Sequence, residues 1–132
     1  MTSPAERRYS PRRAVQIVAR LRVLGLGRDI DRMQLSTAVD VDLRDVGLQG
    51  VRIELSRPVV GGLSLDRLDP AAQKPVVFLQ WEWPDGSGRM RAVAEAVYVG
   101  KSVEAGDRFS AGLRLTVVRE KDLAGLMRFL GI

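Results

Sequence analysis

Strict alternation of apolar and polar residues is the feature that most limits what this chain can become. Val39, Val41 and Leu43 alternate with Asp40, Asp42 and Arg44. A strand sends successive side chains to opposite faces, so this pattern puts one face on a core and the other in water. The same pattern runs through Val15, Ile17, Ala19, Leu21 and Val23, with Gln16, Arg20 and Arg22 between them. It returns at Val51, Ile53 and Leu55, where Arg52 and Glu54 face away, and again at Phe109, Ala111, Leu113, Leu115 and Val117. Residues 76–83 and 90–99 flank Pro84-Asp85-Gly86-Ser87-Gly88, whose turn chemistry makes them the arms of a hairpin. Ala92, Ala94 and Ala96 give the second arm a small-residue face with room for larger side chains opposite.

Between these strands, residues 25–29 read as a turn, and residues 56–75, rich in Gly, Pro and Asp, read as a connection with a short helical turn near Leu65. The period changes only at the end. Leu123, Leu126, Met127 and Leu130 fall at helical spacing, and Gly131 stands where a C-terminal cap belongs. About six antiparallel strands followed by one helix predict a barrel or a sandwich, closed or capped by that helix.

Bulk properties exclude several functions. A hydrophobic content of 45% over 132 residues supports one well-packed domain. The sequence contains no apolar run of ~18 residues, which argues against a transmembrane helix. The start, Met1-Thr2-Ser3-Pro4-Ala5-Glu6-Arg7-Arg8, does not read as a secretory signal. Absence of cysteine fits a reducing, cytoplasmic home. Without His or Cys the chain lacks the usual transition-metal ligands, the thiol nucleophile and the commonest general base. The acidic pairs Asp29/Asp31 and Asp40/Asp42 read as solvated faces, so no enzyme is expected. The net charge is +5, with arginine far outnumbering lysine, and forked guanidinium donors suit phosphate-bearing partners. An aromatic content of 5%, without basic residues interleaved on one sheet face, argues against a single-stranded nucleic-acid binder.

Two segments carry the functional expectation. Arg7-Arg8-Tyr9-Ser10-Pro11-Arg12-Arg13 places four arginines just before the first strand, and Pro11 disfavours a helix through Ser10. Read alone, it is either a solvated basic tail or an arm that folds over a polyanion. Asp45-Val46-Gly47-Leu48-Gln49-Gly50 lies between two well-patterned strands. Counted in strict alternation, Asp45 has the parity of Val39, Val41 and Leu43, so its carboxylate must find partners. Read alone, this segment is either a tight turn with local hydrogen bonds or a place where another molecule approaches the backbone.

Taken together, the two segments resemble the PilZ domain family, best known as receptors for the bacterial second messenger cyclic di-GMP. Arg8-Tyr9-Ser10-Pro11-Arg12 matches the family's RxxxR motif, with Arg7 completing an Arg-Arg doublet. Asp45 and Gly50 match the ends of its D/N-x-S-x-x-G motif, and Ala111-Gly112-Leu113-Arg114-Leu115 with the terminal helix is similar to the family's close. The motif's Ser position is Gly47, and Arg12 and Asp45 are 33 positions apart, longer than usual and attributed to an enlarged first hairpin around residues 25–35.

The resemblance implies an all-β fold, a six-stranded antiparallel barrel with a C-terminal α-helix over residues 14–132, preceded by a flexible Arg-rich leader at residues 1–13. It implies cyclic di-GMP as ligand, no cofactor, and a downstream protein partner. Arg8 and Arg12 would hold phosphates and guanine, Asp45 would accept from guanine N–H groups, and Gly47 and Gly50 would line the backbone approach. Arg7 and Arg13 would be reserve contacts, and Tyr98 would be either a stacking aromatic or a plain barrel-surface residue. The alternative is a PilZ-fold interaction module without ligand, using Phe78, Trp81 and Trp83 as its face.

Overall fold

The computed structural model describes residues 12–26, 38–60, 63–64, 75–103 and 106–132. The alternating segments form strands β1 (Arg12–Leu26), β2 (Val39–Gly47), β3 (Gly50–Leu55), β6 (Pro75–Glu82), β7 (Arg89–Lys101) and β8 (Phe109–Val117). A two-residue hairpin, β4 (Val59–Val60) with β5 (Leu63–Ser64), lies within the connection between β3 and β6, and α1 (Glu120–Leu130) ends the chain. All six long strands close into one antiparallel barrel in the order β1-β2-β3-β8-β7-β6. Closure removes the unpaired edges that an open sheet would present. The six-stranded barrel with a C-terminal helix is therefore the observed architecture. The helical turn expected near Leu65 falls outside the described residues, as do positions 27–37 of the first hairpin. β1 runs on from Arg22 to Leu26 alongside β6, beyond its pairing with β2.

The inward face is the one the alternation marks. Ala19, Leu21, Val23, Val41, Leu43, Val51, Ile53, Leu55, Val77 and Leu79 are buried, and the small Ala92, Ala94 and Ala96 belong to the same core. Trp81 and Trp83, considered above for a binding face, are buried in this core. They meet edge to face at 5.4 Å, and Trp83 stacks on Phe129 of α1 at 4.5 Å. That stack and the fully buried Leu126 fasten the helix over the barrel; burying one such leucine stabilises by about 1.5–3 kcal/mol. Gly131 takes a left-handed conformation at φ 78, and its N–H reaches the Arg128 carbonyl at 3.2 Å, a glycine C-cap as the sequence predicts. The β6–β7 turn is also as expected. Gly86 supplies φ 75, and the Asp85 carboxylate accepts from the Ser87 N–H at 2.8 Å. The Ser87 hydroxyl and then that N–H hold the Asp85 carboxyl below its ordinary pKa.

Bulges decide which side chains leave the core, and alternation alone does not reveal them; on β8 an extra Thr116 leaves Val117 60% exposed. On β2, Leu43 opposes Ile53 and Asp45 opposes Arg52, so Arg44 is the extra residue. The parity resets there, and Val46 enters the core instead of Asp45. On β7, Ala96 opposes Leu113 and Tyr98 opposes Gly112, which makes Val97 extra and turns Tyr98 outward.

Glu54 is a second departure. It points out of the barrel, as alternation requires, yet is only 1% exposed. Arg44 Nε lies 3.5 Å and Arg108 Nη1 3.9 Å from its Oε2, Arg52 Nη1 lies 3.8 Å from its Oε1, and the Ser102 hydroxyl donates to Oε1 at 3.2 Å. Arg108 also pairs with Asp42. The cluster ties the β7–β8 connection to β2 and β3.

Gly50 is required by packing. A Cβ there would stand 2.7 Å from the Leu113 carbonyl oxygen of the neighbouring strand. Backbone cannot give way as a side chain can, so Gly50→Ala is expected to lower the unfolding free energy by about 1–3 kcal/mol, measured by urea denaturation.

Candidate functional site

The β2–β3 turn and the outer faces of β7 and β8 enclose an open groove of about 460 Å³. Arg12 begins β1 and is paired with Gly47, so the end of the first strand is held directly against the turn. The Gln49 carbonyl accepts from the Leu115 N–H at 2.8 Å, and Gly50 pairs with Arg114, which brings the turn against β8. Arg12, Gly47, Gly50, Arg52, Tyr98 and Arg114 all line the groove. Three guanidiniums and an aromatic ring therefore surround one concave surface, a set suited to phosphate and a flat base.

Each wall has a specific cause. The Tyr98 ring lies over Gly112, where a Cβ would come within 2.0 Å of its Cε1, so the absent side chain is what seats the ring. Tyr98 remains 48% exposed and keeps an open face. Arg12 is half exposed, with its Nε 3.5 Å from Asp45 Oδ1. Arg114 donates to the Glu95 carboxylate at 2.8 Å. Each of these two arginines is thus steered by one carboxylate. Gly47 has none of the positive φ seen at Gly86, Gly88 and Gly131. A Cβ at Gly47 would meet the Arg12 stem, 3.1 Å from Cγ and 3.3 Å from Nε.

The residues expected from the sequence divide clearly. Arg12, Gly47, Gly50 and Tyr98 come together in the groove. Asp45 stands behind Arg12 as its ion-pair partner and does not line the groove. Arg13 turns away to α1, where its guanidinium lies 4.3 Å over the Phe129 ring and donates to the Phe129 carbonyl at 2.9 Å. Arg7 and Arg8 lie outside the described residues. β1 begins at Arg12, two residues before the expected start of the barrel. Sequence reasoning missed Arg52 and Arg114. Their outward parity is visible, but only the pairing of β3 with β8 places them beside the turn.

Among the described residues no group of His, Asp, Glu or Cys could hold a metal ion. No described helix is long and apolar enough to cross a membrane.

Two solved structures share the fold. The PilZ domain of CeSA from a cellulose-synthesizing bacterium matches with a TM-score of 0.56 over 91% of this chain and 94% of that domain, at 16% identity. The fold is PilZ-like. The Bacillus subtilis inhibitor of motility MotI/DgrA matches with a TM-score of 0.66 over 98% of this chain, at 12% identity. This PilZ-like chain spans 55% of the length of MotI/DgrA. No protein-family profile matches it, and no curated protein does. At these identities the likeness is one of fold, so the site rests on its own residues.

Proposed function

We propose that this domain is a cyclic di-GMP receptor of the bacterial cytoplasm, a binding module rather than an enzyme, that signals ligand capture to a protein partner. The observation that carries this reading is the shared groove of Arg12, Gly47, Gly50 and Tyr98, the residues that the motif resemblance singles out. A ligand phosphate takes the place of Asp45 as the partner of Arg12, gaining a charge-assisted bond to a guanidinium that is already half exposed. Arg114 and Arg52 face the same space, and the open face of Tyr98 accepts a guanine. Arg8, four positions before Arg12, closes over the ligand from the N-terminal side, and the ordering of that segment is what a partner reads.

The test is a thermal-shift panel. Cyclic di-GMP is expected to raise the melting temperature, since ~100-fold excess over Kd stabilises by about 2.7 kcal/mol, while cyclic di-AMP and GTP leave it unchanged. Equal shifts from all three, or none from cyclic di-GMP, would contradict the reading.

Gly47→Ser probes the motif's missing hydroxyl. The backbone there imposes no strain, and the Arg12 stem has to yield only a few tenths of an ångström. Stability is expected to change by less than about 0.5 kcal/mol. Affinity for cyclic di-GMP is expected to rise up to about fivefold from the added hydrogen bond, read by calorimetry. A second reading, a ligand-free interaction module, draws support from the exposed Val97, Tyr98 and Val103, since the tryptophans are in the core. Unchanged stability with no gain in affinity would count against the cyclic di-GMP site and favour this second reading.

A further inference from the structure

Tyr98 is a ridge between two grooves. Beyond it lies a second open groove of about 360 Å³, lined by Arg52, Tyr98, Gly100, Lys101, Val103 and Ser110. Its size is within the ~300–1,000 Å³ range of small-molecule sites. Arg52 and Tyr98 belong to both linings, so the grooves adjoin around the tyrosine ring. We infer that this second groove is a nucleotide subsite, which takes a base and a phosphate of the ligand whose other half Arg12 holds. The inference rests on the cyclic di-GMP reading and adds a second half to its site.

The chemistry of the walls carries the argument. Val103 is fully exposed at 101% and Tyr98 is 48% exposed, two apolar surfaces bordering one cleft. Water gains nothing from either surface, whereas a flat base covers both. A Cβ at Gly100 would meet nothing within 4 Å, so this wall is unobstructed. Lys101 is exposed and has no ion-pair partner among the described residues, which leaves its ammonium free to meet a phosphate. Among the described residues no carboxylate lines this groove. Glu54, which pairs with Arg52, is 1% exposed and withdrawn from the surface. Another groove, of about 540 Å³, differs in this respect. It is lined by Asp40 and Glu82, which pair with Arg20 and Arg89, and offers a phosphate no such excess of positive charge. A ligand with two bases and two phosphates can straddle Tyr98; a mononucleotide can fill only one side.

The experiment titrates cyclic di-GMP into the full ¹⁵N-labelled chain and follows two sets of amides, Gly47 and Gly50 in the first groove and Gly100, Lys101 and Ser110 in the second. Both sets are expected to shift at the same ligand concentration. In parallel, Lys101→Glu is expected to weaken cyclic di-GMP binding about fivefold or more at an unchanged melting temperature. Shifts confined to the first set overturn this inference and leave the receptor reading standing. Unchanged affinity in Lys101→Glu overturns it too, whatever the amides do, because shifts can pass between paired strands. No shift in either set overturns the receptor reading, and this inference falls with it.

Discussion

Glu54→Ala is expected to lower the unfolding free energy by about 2–3 kcal/mol, among the largest losses from any outward-facing position of this barrel. Removing one partner of a buried ion pair costs about 3–5 kcal/mol, because the opposite charge is left desolvated and alone. The value here is set lower because Arg44, Arg52 and Arg108 are each roughly a quarter exposed and water compensates part of the loss. What water does not reach is Arg44 Nε, a buried donor without a hydrogen-bond partner even in the native protein. Glu54→Gln keeps the volume and an acceptor for the Ser102 hydroxyl, and is expected to lose about half as much. Urea denaturation of the two variants beside wild type checks the order. A loss below about 0.5 kcal/mol in Glu54→Ala would mean that the arginines find water or other partners as readily as they find Glu54.

Arg12→Ala is expected to weaken cyclic di-GMP binding by ten- to a hundredfold, the loss of one charge-assisted contact worth about 1.5–3 kcal/mol. Two effects act in the same direction. The cation that meets the phosphate disappears, and Asp45, no longer neutralised across 3.5 Å, presents its charge to an anionic ligand. Stability should hardly change, since an exposed pair contributes at most about 1 kcal/mol. Asp40→Asn is the matched control. Asp40 is largely exposed, pairs with Arg20 at 3.8 Å and lines a different groove, so its substitution is expected to leave affinity unchanged. Equal losses from Arg12→Ala and Asp40→Asn would place the ligand elsewhere on the barrel.

Much of the fold is legible in the sequence because antiparallel strands with one buried face write their orientation into every second residue. Val39 to Leu43, Val51 to Leu55 and Phe109 to Leu115 are read correctly for that reason, whereas Val117, counted inward, is exposed; the terminal helix declares itself by its change of period and by Gly131. What alternation cannot show is an inserted residue. Arg44 and Val97 each add one, and the parity of everything after them reverses, which is why Asp45 is counted inward and found outward. Burial by distant segments is equally hidden. Glu54 alternates like a solvated residue, and only the fold brings Arg44, Arg108 and Ser102 over it.

The candidate site is legible to the extent that its residues are local. Gly47 and Gly50 sit in one turn, and Arg12 reaches them through the pairing of two consecutive strands. Arg114 belongs to the groove only because β8 lies beside β3, a contact across more than sixty positions that no local pattern encodes. The groove also gives the glycines different meanings. Gly50 answers to the Leu113 carbonyl and Gly112 to the Tyr98 ring, so both are fixed by neighbours within the barrel, while Gly47 alone faces a movable side chain.

Whether this barrel is a cyclic di-GMP receptor is decided by calorimetric titration of the purified protein with that ligand. A saturable heat is expected, displaced to about ten- to a hundredfold higher ligand concentration in Arg12→Ala and not reproduced by cyclic di-AMP or GTP. Absence of heat at high micromolar ligand, in a protein that melts cooperatively, would contradict it and leave the barrel as a module that works through protein contacts.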